Sequence, residues 1–567
     1  MELAEIIKIA RGDEPADLVL RNAKIVNVFT GEILENHIAI AHSRIVGIGD
    51  YEAHKEMDLQ GRFVCPGFID SHVHIESSMV PPHEFVRAVV PRGTTTVITD
   101  PHEIANVLGL EGIRYMLEMA KYNPLSVYVN APSCVPSTHL ETTGAALQWY
   151  DLETLQHETF VLGLAEVMNF PGVVHGDEAV LSKIRTFQGR VKDGHCPGLT
   201  GKALNAYVGA SILSDHECTT VEEAREKLRL GMFLFIREAT NARNLKPLLP
   251  VITPENCRRI CFCTDDRQPA DLLDEGHIDF MIRTAIAEGV PPIDAIRMAT
   301  LNPSEYFRLH DRGAIAPGRR ADLVVFSDLQ DLQAEMVFRG GGLVAENGVM
   351  HPWQRPTRGT FLRSSMNIDW NSVNFDIEPQ SRQARVIGAI PNQLITEHLV
   401  EEIAAEDNRA LVDTRRDILK MAILERHLAT GNVGKGFVKG LGLQRGAIAS
   451  TVAHDHHNII VAGAEDESMH TAVQALTDMR GGMAVAYGDQ VLAQLPLPIA
   501  GLMSDQPIET VRRQMDDILA AAHQLGSGLH DPFMALSFLG LPVIPSLKLT
   551  DRGLVDVDKF ELVPLFV

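Results

Sequence analysis

The chain has 567 residues, too many for one ordinary core, so two or three domains are expected. Apolar residues make up 45% and charged residues 22%, the balance of a soluble globular protein rather than a disordered or fibrous one. A formal charge of −23 argues against a nucleic-acid partner, which would need a basic face to release counterions, and leaves small neutral substrates open.

Seven cysteines (Cys65, Cys134, Cys196, Cys218, Cys257, Cys261 and Cys263) are an odd number scattered along the chain, the usage of reduced thiols in a cytoplasm. No run approaches about eighteen uninterrupted apolar residues, so no membrane span is expected. The opening MELAEIIKIARGDEPAD lacks the basic flank and apolar core of a signal peptide and reads as a short amphipathic helix.

Residues 17–65 alternate apolar and polar around a Thr-Gly turn at 30–31, the pattern of half-buried antiparallel strands. From 66 to 308 short apolar runs are each followed by a helical stretch: GFIDSHVHIE, TTTVITD, LSVYVNA, FVLGLAEV, GRVKDGHCPG, SDHEC, FLFIREA and RICFCTDD. This βα rhythm over about 240 residues predicts an α/β fold, a (β/α)8 barrel whose chemistry sits where the strands end. GAIAPGRRADLVVFSDL and EMVFRGGGLVAENGVM then return to strand and hairpin patterning. The expected organisation is a small β-sandwich domain from both flanks (1–65 and 309–356), a metal-dependent barrel (66–308) and an α+β C-terminal domain (357–567). A Pro-rich bridge at 352–357 marks the last boundary. Within that domain IETVRRQMDDILAAAHQLG places Val511, Met515, Ile518, Leu519 and Ala522 on one helical face.

Residues two apart on a strand project to the same side, so His72 and His74 can bind one divalent ion together. Alone, such a pair is as readily structural as metal-binding. Its company strengthens it: Glu166 closes the fourth run, His195 the fifth, His216 the sixth and Asp265 the eighth. Four imidazoles and two carboxylates suffice for two cations about 3.5–4 Å apart, with Glu166 bridging. Iron, manganese and zinc all accept such donors.

Beyond these positions, HIESSM, TDPHEIANV, GLAEVMNFPGV, DGHCPGLTGKALNAY and CTDDRQPADLLDEGHID resemble the adenine deaminase family of the amidohydrolase superfamily, along the whole chain. The resemblance implies hydrolysis of adenine to hypoxanthine and ammonia at a binuclear iron or manganese centre. It implies a flanking sheet domain and an extra C-terminal domain. It carries the ligand roles to His72, His74, Glu166, His195, His216 and Asp265. Where dihydroorotase-like relatives use a carboxylated lysine on the fourth strand, this chain has Glu166; Lys183, the nearest lysine downstream, lies in a helical stretch.

In this reading Asp265 takes a proton from the attacking water and passes it to the departing nitrogen. A second acid must protonate the ring; Asp100, His102 and Glu103 are the candidates, with His102 preferred and Asp100 orienting it, against the alternative that Asp100 caps the next helix. Glu76, Ser77, Asp266 and Glu103 are the expected purine contacts. Arg237 and Glu238 could form a rim ion pair with a supporting role. HDHHN at 454–458 repeats the two-apart spacing in His454 and His456; it reads as solvated or supporting, though it could cover the barrel mouth. Cys257, Cys261 and Cys263 read as packing. The competing functions are a cyclic-amide hydrolase and a scaffold without metal. A homo-oligomer is expected.

Overall fold

The computed structural model describes residues 3–354, 362–391 and 393–567. The last residues of the expected 352–357 bridge, 355–357, lie outside the described residues. The amphipathic start is a helix, Leu3–Ala10, with Ile9 buried.

The two flanks of the barrel join in one nine-stranded sheet. Its spine is the 12-residue strand Ala16–Asn27, which pairs antiparallel with Glu32–Ala41 on one edge. Not all of the pairing is antiparallel, as the alternation had suggested. Along the spine's other edge Ala53–Asp58 and Phe63–Pro66 run parallel to it, one beside each half of its length. The spine is long enough to hold two short partners end to end, a feature that alternation does not encode. Leu323–Phe326, returning from beyond the barrel, pairs antiparallel with Phe63–Pro66 and brings Met336–Arg339 and Gly342–Glu346 with it.

Between the flanks lie eight parallel strands, labelled here β1 (Phe68–Val73), β2 (Thr94–Thr99), β3 (Ser126–Ala131), β4 (Val161–Val167), β5 (Val191–Gly194), β6 (Ser214–Asp215), β7 (Phe233–Arg237) and β8 (Ile260–Cys263). β1 to β5 pair in sequence order, as do β6 to β8. The two arcs meet where the Leu213 amide donates to the Lys192 carbonyl at 3.4 Å and the Asp265 amide to the His72 carbonyl at 3.0 Å. β2 is buried at every position and β4 at all but one, as expected of strands covered on both faces.

The C-terminal region is built on an eight-stranded sheet spanning residues 383–496, with a three-stranded sheet at 547–563. Helix Ile508–Gln524 buries Val511, Met515, Ile518 and Ala522, and the half-buried Leu519 packs on the same core. This region docks on the barrel's C-terminal end. The Thr142 amide donates to Asp551 Oδ1 at 2.8 Å, the Ser504 amide to the Met79 carbonyl at 2.8 Å, and Gln268 Nε2 to Asp531 Oδ2 at 3.1 Å. All seven cysteines are buried free thiols, and Cys261 and Cys263 pack beside Phe235. No helix among the described residues is long and apolar enough to cross a membrane.

Candidate active site

Strand alternation puts Asp70, His72 and the following His74 on one side of β1, facing the barrel axis. The lowest of the three, Asp70, is tied to β8: its Oδ1 accepts the Thr264 amide at 3.1 Å and its Oδ2 lies 2.9 Å from His277 Nε2. At the top, His74 Nδ1 meets the Asp100 carbonyl at 2.9 Å. A carbonyl only accepts, so Nδ1 carries the proton and Nε2 is left with a lone pair aimed inward. His72 Nε2 stands 3.1 Å from His74 Nε2, and Asp265 Oδ1 is 3.3 Å and 3.1 Å from the two. Asp265 adopts a left-handed backbone (φ 56°), rare outside glycine, and backbone bonds to β1 hold it there.

Glu166, at the end of β4, stands between two groups of imidazoles. Its Oε1 is 3.3 Å from His74 Nε2 and 3.6 Å from His72 Nε2, while its Oε2 is 2.7 Å from His195 Nδ1 and 3.2 Å from His216 Nε2. Donors that share a cation at about 2.1 Å lie about 3.0–3.4 Å apart, so most of these separations suit shared ions. Two buried carboxylates and a lone pair preset by a carbonyl are also what a cation requires, and the donor set fits divalent metal. Burial pushes the Glu166 carboxyl up, but the surrounding imidazoles hold it well below the usual carboxylate range.

Supporting side chains sit directly behind these donors; Arg237 was expected among them, whereas Glu217 and Lys227 were not. Arg237 does not pair with Glu238. Its guanidinium meets both oxygens of Glu217 and reaches Asp265 Oδ2 at 3.0 Å. Glu238 turns away to accept the Leu245 amide at 3.0 Å, because consecutive residues at a strand end face opposite ways. That parity rule was the available signal. Lys227, fully buried, holds the Cys196 carbonyl at 2.7 Å and Asp215 Oδ2 at 3.0 Å, fixing the neighbours of His195 and His216 together. Lys183 lies on helix Glu178–Thr186 and donates to the Ser133 carbonyl at 2.7 Å.

Asp100 Oδ2 is 3.1 Å from His102 Nδ1, and helix His102–Leu108 has no side-chain cap, so the capping alternative for Asp100 is not realised. His102 is enclosed: Glu166 Oε1 is 3.4 Å from its Nδ1, with Glu103 Oε1 at 3.5 Å and Asp455 Oδ1 at 3.8 Å from its Nε2. A cavity is lined by Glu76, Ser77, Glu103 and Gln268 of the barrel together with His454 and His457 of the C-terminal region. Glu76 Oε1 accepts the Ile104 amide at 3.3 Å, whereas its buried Oε2 has no hydrogen-bond partner among the described residues. Burial raises that carboxyl to about 7. Ser77 Oγ donates to Asp266 Oδ1 at 2.5 Å.

HDHHN is not solvated: His454, Asp455, His456, His457 and Asn458 are all buried. Nor do His454 and His456 act as a pair. His454 Nδ1 meets Glu103 Oε1 at 2.6 Å and His457 Nε2 meets Glu103 Oε2, while His456 Nδ1 accepts the Asn458 amide at 2.9 Å. The segment is a loop between strands, where the strand's two-residue period does not apply.

Comparison with known proteins matches residues 63–344 to the amidohydrolase family and 393–561 to the adenine deaminase C-terminal domain. The chain is 52% identical to an adenine deaminase of Desulfatibacillum aliphaticivorans over 99% of both chains. It is 49% identical to adenine deaminase 2 of Carboxydothermus hydrogenoformans, again over 99% of each. With an adenine deaminase of Brucella suis it shares 48% identity over 97% of this chain and 95% of that one. By its full-length likeness to these proteins, the chain belongs to the adenine deaminase family of the amidohydrolases.

Proposed function

We infer that the protein hydrolyses adenine to hypoxanthine and ammonia. The family implies a divalent metal cofactor. One cation would be held by His72, His74 and Asp265 and a second by His195 and His216, with Glu166 shared; manganese or iron is the expected metal, and zinc is chemically acceptable. Such cations supply a water acidic enough to be a nucleophile at neutral pH.

The chain's own groups account for the rest. Asp265 Oδ1 faces the two β1 imidazoles while Arg237 occupies its Oδ2, so the carboxylate stays ionised and ready to accept the proton of the attacking water. That water oxygen bonds to the ring carbon bearing the amino group; Asp265 returns the proton to the amino nitrogen, which leaves as ammonia. His102, oriented by Asp100, would protonate the ring nitrogen beside the attacked carbon, and the second proton of the water, lost from the added hydroxyl as the C=O forms, would restore it. Glu76 Oε2, buried and unpartnered, would accept a ring N–H, with Ser77 and Glu103 beside it in the wall and Asp266 holding Ser77 from behind.

The observation that carries this reading is the Glu166 carboxylate set between two imidazole groups, in a chain similar over its full length to proteins named adenine deaminase. Manganese-loaded protein should release ammonia from adenine within a purine panel. Silence on every purine, or ring opening of a dihydropyrimidine or hydantoin instead, would overturn the reading.

A further inference from the structure

The loop at 453–458 is held more firmly than a covering lid needs to be. Arg426, fully buried, donates from Nε to the His457 carbonyl at 2.5 Å and from a terminal nitrogen to the Ala500 carbonyl at 2.9 Å. Asn458 Nδ2 donates to the Thr142 carbonyl of the barrel at 2.8 Å. The His454 ring stacks on Phe538, with centroids 4.6 Å apart and planes 11° from parallel. Each contact fixes the loop's orientation toward the cavity.

What this rigidity presents is a carboxylate–imidazole pair. Glu103 Oε1 holds His454 Nδ1 at 2.6 Å, the length of a direct hydrogen bond to a carboxylate. His457 occupies the other oxygen and keeps the carboxylate from turning. His454 Nε2 has no hydrogen-bond partner among the described residues, and His454 lines the same cavity as Glu76. An imidazole whose Nδ1 is anchored to a carboxylate has one remaining polar atom to offer.

We propose that His454, supplied by the C-terminal region, contacts the substrate directly, donating a hydrogen bond from Nε2 to a purine ring nitrogen, N3 or N7. Glu103 and His457 are its positioning residues. Burial alone would lower the basicity of the His454 ring, but the Glu103 charge outweighs it and brings the imidazole to about 9, which leaves a proton on both nitrogens at neutral pH. A donor of this kind recognises a lone pair in the ring plane, a feature of free purines that a pyrimidine amide does not present in the same place.

The inference rests on the adenine reading above. It is tested by a cycle of two deletions: kcat/KM for adenine, 3-deazaadenine and 7-deazaadenine, in wild type and in His454→Ala. Wild type should prefer adenine over one deaza analogue by about 10- to 100-fold, the worth of a hydrogen bond from a charged donor. His454→Ala should lose that factor on adenine while losing little more on the same analogue, and His454→Gln, which retains an N–H near Nε2, should recover part of it. Losses that multiply independently with both analogues overturn the proposal. Equal use of adenine and both analogues by wild type overturns it without any variant, whatever the variant's folding. Failure of wild type to release ammonia from adenine would instead sink the deaminase reading, so the two outcomes are distinguishable.

Discussion

The spacing His-x-His occurs at 72–74 and again at 454–456, and the two places behave differently. On β1 the backbone is extended, both imidazoles project to one side and their Nε2 atoms meet at 3.1 Å. In the C-terminal loop the second imidazole turns back to accept a backbone amide, and His457 takes its place beside His454 on Glu103. A two-residue spacing specifies convergence only where the backbone has a two-residue period. The partners differ as well: at the rim Glu166 stands between two imidazole groups, 2.7–3.6 Å from four rings, whereas in the loop Glu103 is flanked by His454 and His457.

That contrast can be broken in several ways, beginning with its strongest claim. Glu166→Ala removes the carboxylate that both rim groups share. Ammonia release should fall well beyond the roughly 10- to 100-fold loss seen when an outer partner of a metal ligand is removed, and bound manganese should fall with it. Retention of both metal and rate would show that Glu166 does not join the groups. Next, Lys227→Met leaves Asp215 buried and unpaired behind His216. Denaturant titration should show a loss of about 3–5 kcal/mol, and a change under about 1 kcal/mol would mean the rim is held otherwise. Arg237→Lys keeps the charge but loses the two-pronged grip on Glu217 and Asp265, so kcat should drop about 10- to 100-fold with metal content preserved.

The smallest effect belongs to the loop. His456→Asn preserves a short side-chain acceptor for the Asn458 amide, so metal content should stay constant and stability at pH 7 should change by about 1 kcal/mol. Burial lowers His456 from 6.5 to about 3, so the folded protein keeps it neutral while the unfolded chain protonates it. Its contribution is therefore intact above about pH 6.5 and is lost as pH falls toward 3. The variant should show a shallower acid-side decline in melting temperature between pH 6 and 4; an unchanged decline would remove His456 as its source.

Much of this was legible because it is local. Eight apolar runs ending in polar residues mark β1 to β8, and the donors His72, His74, Glu166, His195, His216 and Asp265 stand at or just beyond the ends of their strands. The periodicity of 508–524 identified its buried face. What escaped was non-local or depended on side-chain direction. No pattern near Glu103 announces His454, 351 residues away, and none near Arg237 announces Glu217 across the strand gap. The parallel pairing of Ala53–Asp58 and Phe63–Pro66 with the first strand escaped for the same reason: alternation reports which face is buried, not which neighbour lies alongside.

The most direct test of the central claim is a metal titration of stripped protein, with ammonia release from adenine read at each addition of manganese. The account predicts no release from the stripped protein, a rise that levels off at about two ions per chain, and neither the binding nor the rise in Glu166→Ala. Full release from stripped protein, or an unchanged titration in Glu166→Ala, would contradict it.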